Sequence, residues 1–299
     1  MMKKFQQLAL IGSTASGKTA LAIEYAKKHH ANILSLDSLA IYKEINIVSA
    51  KPTKAEQKEV QHFGLDLIYP NKPFDVTTFI QLYQHAKEQS IKEHKGLIIV
   101  GGTSFYLKSL IEGISPMPKI SEATQQQTNS ILNKGLPKAH ALLSNIDKVY
   151  MQNIATTDHY RLEKMLNLYL ETGLSPTEYF KKNPTIPTIN EPIPLYEIVV
   201  DRDILRERIR VRTQKMIEQG LIDEIFYLEK TYTKAPNCMK AIGIREVLDF
   251  FDGITTKEEM KEKIIINTTR LAKRQRTFNA SQFSNKIALP LDELYGQLI

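Results

Sequence analysis

The chain has 299 residues, of which 42% are hydrophobic and 24% are charged. This composition is close to the average for globular proteins and excludes a largely disordered, collagen-like or low-complexity chain. The one cysteine, Cys238, excludes an intrachain disulfide and a Cys/His metal cluster. The formal net charge of +7 favours partners that carry phosphate groups, without proving one.

The first residues, Met1-Met2-Lys3-Lys4, resemble the basic head of a signal peptide. Glutamines interrupt the stretch that follows, so it lacks the apolar core of a signal peptide. No run approaches the roughly 20 apolar residues that are needed to cross a bilayer. We therefore expect a cytoplasmic protein with no membrane partner. No pattern indicates an obligate oligomer, and we expect a monomer.

Strands and helices alternate in the pattern of the first hundred residues. Apolar runs predict strands at 8–11, 32–36 and 96–100, with a weaker candidate at 65–69, and helical spacing marks 18–29 and 77–95. This alternation is typical of a parallel sheet with crossover helices, in which ligands bind at the carboxyl ends of the strands. Three unusual segments follow predicted strands: Gly12 onward, Asp37-Ser38 and Gly101-Gly102-Thr103.

A phosphate-binding motif follows the first predicted strand. Residues 12–19 match G-x-x-x-x-G-K-[ST] in full, with a helix predicted directly after them. The glycines allow a turn that aims backbone N–H groups at an anion. Lys18 adds a positive charge, and the Thr19 hydroxyl can ligate Mg²⁺, the expected cofactor. We predict that a phosphate or diphosphate binds here, held by Gly12, Ser13, Thr14, Ala15, Ser16, Gly17, Lys18 and Thr19.

The pattern changes in the middle of the chain. Residues 121–180 are polar, rich in glutamine and helical in spacing, and 183–194 carry four prolines, which is typical of a linker. A strand pattern returns at 195–200, and the remainder from 204 is mostly helical. We predict an α/β protein whose P-loop-type parallel sheet core, with flanking helices, comprises 1–117 and 195–299. A helical insertion domain occupies 118–194.

The phosphate loop alone leaves the reaction open. Enzymes that hydrolyse or transfer phosphate commonly hold Mg²⁺ with an acid at the end of a buried strand, but the strand at 96–100 ends in glycine. Asp37 could hold the metal, accept a proton or cap a helix. A small-molecule or nucleotide kinase is one alternative. A non-catalytic RNA-binding module is another, although it leaves the phosphate loop unexplained.

Several further blocks show a more specific resemblance. With the phosphate loop, they resemble the tRNA dimethylallyltransferases, also called tRNA isopentenyltransferases, in order and over nearly the whole chain. The blocks are residues 37–43 (DSLAIYK), 50–52 (AKP), 101–107 (GGTSFYL), 220–224 (GLIDE), 241–246 (AIGIRE) and 269–278 (TRLAKRQRTF).

The resemblance implies a prenyl transfer. A dimethylallyl group passes from dimethylallyl diphosphate to the exocyclic N6 amine of the adenosine on the 3′ side of a tRNA anticodon. The loop then holds the diphosphate leaving group. Asp37 is the candidate base, Thr103 donates a hydrogen bond to the diphosphate, and Arg212 reaches back to it. Arg208 lies one turn earlier on the same helix face and joins the diphosphate site.

The family also implies contacts with the anticodon stem-loop, whose target base must leave its stack to reach such a pocket. The insertion domain would clamp the stem, and basic side chains of the last block would contact phosphates. The tRNA-binding residues implied are Asp37, Ser38, Leu39, Ala40, Thr103, Arg161, Lys240, Gly243, Arg245, Arg270, Lys273 and Arg274. The chain departs from the family's usual residues at Ala40, Lys43, Lys164, Ile244 and Phe278, which cluster in the parts that touch RNA.

Four arginines alternate along the helix that is predicted at 204–219. Alternate residues of a helix point in very different directions, so Arg206, Arg208, Arg210 and Arg212 cannot all serve one site. Arg208 and Arg212 share a face and match the family. We therefore assign these two to the site.

Overall fold

A computed structural model describes residues 5–299, and its core is a parallel β-sheet. Six strands lie in the order β3-β2-β4-β1-β5-β6, and every neighbouring pair is parallel. This architecture confirms the predicted fold class. The strands are β1 (Gln7–Gly12), β2 (Ala31–Leu36), β3 (His62–Phe63), β4 (Gly96–Gly101), β5 (Leu195–Val199) and β6 (Ile287–Pro290).

Helices account for most of the remaining chain. In chain order they are α1 (Lys18–Lys28), α2 (Lys54–Glu59), α3 (Val76–Lys92), α4 (Ser104–Glu112), α5 (Glu122–Asn133), α6 (Leu136–Ile146), α7 (Lys148–Met151), α8 (His159–Thr172), α9 (Pro176–Lys182), α10 (Arg202–Glu218), α11 (Leu221–Tyr232), α12 (Ile244–Phe251), α13 (Lys257–Gln282) and α14 (Leu291–Leu298), with a 3₁₀ turn at Asn237–Lys240. Among residues 5–299, no helix is both long and apolar enough to span a bilayer.

The central strands are buried on both faces, as their continuous apolar runs predict. Leu10 and Ile11 of β1 and Ile98 and Ile99 of β4 have no exposed surface. Because β2, β4 and β1 are neighbours, the segments that follow them lie side by side at one edge of the sheet. The predicted grouping of the phosphate loop, Asp37 and Thr103 at strand ends is therefore what the fold produces.

The predicted strand at 65–69 is wrong. The third strand is instead His62–Phe63, at the edge of the sheet. Residues 65–69 are irregular: Leu67 and Ile68 donate backbone hydrogen bonds to Ile41, and Asp66 has a left-handed backbone with φ of 53°. Leu65 is buried and Ile68 forms one isolated bridge with Tyr42, whereas Leu67 and Tyr69 are about half exposed, so the apolar pattern here does not reflect a sheet ladder.

The chain forms two compact units. One runs to Ser109 and resumes at Glu191, and the other is Leu110–Asn190, whereas the predicted boundaries followed residues 117 and 194. The difference has a local cause. Ile114 and Ile186 form a β-bridge, and the Thr188 N–H donates to the Leu110 carbonyl, so the residues around 114 belong with the second unit.

The second unit is helical and has its own apolar core. Leu143, Leu162, Leu166 and Leu168 are fully buried in it, within a cluster that draws on α6 and α8. Helices of this kind obtain most of their stability from such packing rather than from intrinsic propensity. The helical insertion that the sequence predicts is therefore a unit with a separate hydrophobic core.

Asp147 joins two helices of the second unit. Its Oδ1 caps α7 by accepting the Tyr150 N–H at 3.0 Å, and its Oδ2 accepts the Thr177 N–H at 2.7 Å. Burial raises the pKa of Asp147, but these hydrogen bonds outweigh it, and the pKa lies below its ordinary value. The stabilisation is therefore present above the ordinary pKa of an aspartate and is lost as the pH falls through the lowered value.

We expect Asp147→Ala to lower the free energy of unfolding by about 2 kcal/mol at neutral pH, since it removes a cap and a charged hydrogen bond. Urea denaturation of the whole chain measures the change. Asp158→Ala is the matched control, because Asp158 caps α8 by accepting the Arg161 N–H and otherwise makes only an exposed ion pair with the Arg161 side chain among the described residues. A loss for Asp147→Ala no larger than that of the control would contradict this account.

Candidate active site

The phosphate loop connects β1 to α1 and uses backbone conformations that favour glycine. Gly12 and Gly17 have φ of 152° and 97°, and a Cβ on Gly12 would lie 3.0 Å from the Ile198 carbonyl. A Cβ on Gly17 would lie 2.9 Å from Leu291. Ala15 also has a positive φ, of 61°, which is uncommon outside glycine. These backbone conformations and close contacts explain why both motif positions are glycine. Ala15 adopts a strained backbone conformation within the loop.

Lys18 folds back over this loop. Its Nζ donates to the Ser13 carbonyl at 2.6 Å. Burial and the nearby Arg212 guanidinium lower the pKa of Lys18 to about 7, while the carboxylates of Asp37 and Glu197 act in the opposite direction. A cation that is removed from water and set beside a second cation is stabilised by an added anion. The loop is thus electrostatically prepared for a negatively charged group.

Thr14 is held from two directions. The Arg212 guanidinium of α10 donates to Thr14 Oγ1 at 3.2 Å, and the Thr14 N–H donates to Oε1 of Gln275 on α13 at 2.9 Å. Gln275 lies inside the block 269–278. From the sequence, only the basic residues of this block were predicted to belong to the site. Its neutral amide carries no charge signal, so position in the block was the only pointer to it.

Asp37 follows β2 and organises the turn after it. Its Oδ1 accepts the N–H groups of Leu39 at 2.8 Å and Ala40 at 3.2 Å. The turn does not continue into a helix, so Asp37 is not a helix cap. No described residue donates a hydrogen bond to Asp37 Oδ2. One oxygen therefore fixes the loop, and the other is available to a ligand.

Thr103 is placed by a close approach between β4 and β2. Its N–H donates to the Leu36 carbonyl at 3.0 Å, one residue before Asp37. Gly101 has φ of 159°, and a Cβ there would collide with the backbone of Leu36. This contact fixes Thr103 beside Asp37. Among the described residues, none forms a hydrogen bond with the Thr103 hydroxyl.

A single cavity of about 2350 Å³ joins these groups. Sites for one small molecule usually measure 300–1,000 Å³, so this cavity has room for two ligands or for part of a macromolecule. All its lining residues belong to the first unit. The sequence-predicted residues that line it are Thr14, Ala15, Ser16, Gly17, Lys18, Thr19, Asp37, Ser38, Leu39, Ala40, Thr103, Arg208, Arg212, Lys240, Gly243, Arg245, Arg270 and Arg274.

Four of the predicted residues lie outside this lining. Gly12 and Ser13 are buried in the first half of the phosphate loop, where they shape the backbone. Lys273 is exposed on α13 and does not line the cavity, unlike Arg270 and Arg274. Arg161 belongs to the second unit, where it pairs with Asp158 at 3.5 Å.

The four arginines of α10 fall into two pairs that lie in different surroundings, as expected for alternate residues of a helix. Arg206 pairs with Asp203 at 3.7 Å, and both Arg206 and Arg210 are about 60% exposed. Arg208 and Arg212 line the cavity. Packing of α10 against α13 through Ile209 orients the helix in this way.

Two other sequence blocks support the cavity wall through charged side chains. The Glu224 carboxylate accepts three consecutive backbone N–H groups, those of Asn46, Ile47 and Val48, at 2.8–3.1 Å. Lys51 is almost completely buried and donates to Asp66 at 2.7 Å. Residues 46–51 therefore form a wall of fixed shape.

The oxygen donors at the cavity suit Mg²⁺. Thr19 lies exposed in the first turn of α1 and lines the cavity, so its hydroxyl is available to a metal ion. No group of three or more His, Cys, Asp or Glu residues in 5–299 could hold a metal alone. Magnesium typically takes one or two protein oxygens together with substrate phosphates and water, so this donor set fits it.

Comparison with known proteins shows the family to which the chain belongs. A family model described as IPP transferase matches residues 40–282. The tRNA dimethylallyltransferases of a Sulfurovum species and of Aliarcobacter butzleri are 59% and 50% identical over 294 residues, covering 98% of this chain and 97% and 98% of those proteins. The crystal structure of the tRNA isopentenylpyrophosphate transferase from Bacillus halodurans is similar with a TM-score of 0.71 at 26% identity, covering 99% of this chain and 94% of that one. The chain therefore belongs to the IPP transferase family, together with the tRNA dimethylallyltransferases.

Proposed function

We propose that this enzyme transfers a dimethylallyl group from dimethylallyl diphosphate to the N6 amine of the adenosine that follows a tRNA anticodon. One observation carries the proposal. A phosphate loop, a carboxylate with a free oxygen and a threonine hydroxyl line one cavity that is too large for a single small ligand. A kinase site needs room only for a nucleotide and a small acceptor, so the volume favours a flipped base as the second occupant.

The proposed chemistry exchanges one bond for another. The lone pair of the adenine amine forms a bond to the first carbon of the dimethylallyl group, and the carbon–oxygen bond to diphosphate breaks with its electron pair on oxygen. The amine then loses a proton, and Asp37 is positioned to accept it because its Oδ2 is not used by the fold. The products are prenylated adenosine, diphosphate and a proton.

The leaving group develops negative charge as its bond to carbon breaks. The cavity is lined by Lys18, Arg212, the phosphate loop and Thr103. We propose that these fixed donors stabilise the charge that develops in the transition state. Mg²⁺ held by the Thr19 hydroxyl would supply further neutralisation of the diphosphate. Arg208 also lines the cavity and adds positive charge to it.

The RNA-facing residues lie along the same cavity. Lys240, Arg245, Arg270 and Arg274 line it, and they can contact backbone phosphates of an anticodon loop. We propose that the second unit, with Arg161, holds the anticodon stem. Since the catalytic groups all come from one chain, we propose that a monomer is active, and the tRNA substrate places the reaction in the cytoplasm.

The direct test incubates unmodified tRNA with the protein, dimethylallyl diphosphate and Mg²⁺, and then measures nucleoside masses. The proposal expects one adenosine per reactive tRNA to gain a dimethylallyl group. A parallel reaction with ATP and no RNA tests the kinase alternative. ATP turnover without tRNA and no prenylated nucleoside would overturn the proposal.

Removal of Mg²⁺ is expected to lower the rate of prenyl transfer at least about tenfold, because the diphosphate loses part of its charge neutralisation. Initial rates with and without EDTA measure this change, and restoring Mg²⁺ in excess is the control. An EDTA-treated protein that keeps its full rate would contradict the assignment of magnesium to this site.

A further inference from the structure

Gln275 makes a bridge between two segments that are distant in the sequence. Its Oε1 accepts the Thr14 N–H of the phosphate loop at 2.9 Å, and its Nε2 donates to the Gly102 carbonyl at 3.0 Å. Both ends of one amide are used, and both partners belong to strand-end segments around the cavity. Gln275 thus connects α13 to the phosphate loop and to the turn that carries Thr103.

The turn is shaped to receive this amide. A Cβ on Gly102 would overlap Gln275 Nε2, so an alanine there would force the end of this side chain to shift. A glutamate at 275 could accept the Thr14 N–H, but it has no proton to donate to the Gly102 carbonyl. An asparagine has the same groups on a shorter side chain. The bridge therefore requires glutamine at 275, and glycine at 102 leaves its amide undisturbed.

The bridge fixes a distance that the reaction uses. The diphosphate is proposed to lie between the loop that contains Thr14 and the hydroxyl of Thr103, one residue after Gly102. Arg212 holds the Thr14 side chain, and Gln275 holds its backbone, so the loop is tied to two helices at one residue. Such a restraint prearranges donors before the ligand arrives, which lowers the entropic cost of binding.

We propose that Gln275 is a positioning residue for the diphosphate, whose amide sets the separation between the phosphate loop and the Thr103 turn. This inference rests on the proposed function, because it assigns that gap to the diphosphate of the prenyl donor. It gives α13 a second role beside its basic residues: the helix that carries Arg270 and Arg274 also braces the leaving-group site.

The test compares Gln275→Ala with Gln282→Ala, a matched change on the same helix at a residue whose side chain, among the described residues, forms a hydrogen bond only with the adjacent Ser281. Binding of inorganic pyrophosphate with Mg²⁺, measured by calorimetry without tRNA or donor, is expected to weaken about tenfold in Gln275→Ala alone, because two hydrogen bonds are lost. The KM for dimethylallyl diphosphate should rise by a similar factor, and the KM for tRNA should stay within about twofold. Product formation by the unchanged protein tests the proposed function separately.

Gly102→Ala breaks the same bridge while leaving Gln275 in place, which keeps the inference testable if Gln275→Ala folds poorly. The double variant should bind pyrophosphate about as well as Gln275→Ala, since both changes remove one interaction. Unchanged pyrophosphate affinity in Gln275→Ala would overturn the inference. So would additive losses in the double variant, or an equal rise in the KM for tRNA.

Discussion

Asp37→Asn is expected to lower the kcat of prenyl transfer about a thousandfold and to leave tRNA affinity unchanged, since general-base catalysis contributes roughly 10²–10⁴. The substitution separates the structural role of Asp37 from its catalytic role, because the asparagine oxygen can still accept hydrogen bonds from the Leu39 and Ala40 N–H groups. What it removes is the carboxylate that accepts the proton. Single-turnover kinetics with saturating donor measures the effect on chemistry, and a filter-binding assay measures tRNA affinity.

Asp75→Asn is the matched control for this change. Asp75 is exposed and caps α3 by accepting the Thr78 N–H at 2.9 Å, outside the cavity lining. It should retain the full rate. If Asp37→Asn kept more than about a tenth of the kcat, another group would be the base and the mechanism proposed above would be wrong.

Arg212→Gln is expected to lower kcat/KM for dimethylallyl diphosphate by about 10²–10³, the cost of removing one fixed donor to a developing negative charge. Arg212 is partly shielded from solvent, donates to Thr14 Oγ1 and, with burial, lowers the pKa of Lys18 to about 7. Its loss removes a positive charge and one of the two ties on Thr14. Steady-state kinetics at several pH values measures the change.

Arg210→Gln controls for the loss of an arginine from α10. Arg210 is 59% exposed and lies 3.7 Å from Glu207, in an ion pair of the kind that contributes little when it faces solvent. Its kcat/KM should stay within about twofold of the unchanged protein. Equal losses in both variants would mean that the overall charge of the helix matters, and that the position of Arg212 does not.

Much of the sheet could be predicted because burial leaves a strong pattern. In the sequence, β1, β2, β4 and β5 are apolar runs that are followed by glycine or aspartate. The alternation of such runs with helical segments predicts a parallel sheet. β6 (Ile287–Pro290) was missed. It is an edge strand with three of four residues exposed and a proline at its end, so its short apolar run, Ile287-Ala288-Leu289, is too brief to distinguish it from the helical segments around it.

The site likewise contains some residues that could be predicted from the sequence and others that could not. The phosphate loop, Asp37 and Thr103 are recognisable because they follow predicted strands, and sheet topology then brings them together. Gln275 and Leu291 were not recognised, because their roles depend on how α13 and the chain end pack against the loop. Contacts made across 261 positions of sequence leave no local signal.

A structure of the protein with a non-hydrolysable dimethylallyl diphosphate analogue, Mg²⁺ and an unmodified anticodon stem-loop tests the central claim most directly. We expect the diphosphate to lie against Lys18 and the loop N–H groups, and the N6 amine of an unstacked adenosine to lie within hydrogen-bond distance of Asp37 Oδ2. An adenosine that stays stacked in the RNA, or a diphosphate bound away from the loop, would contradict it.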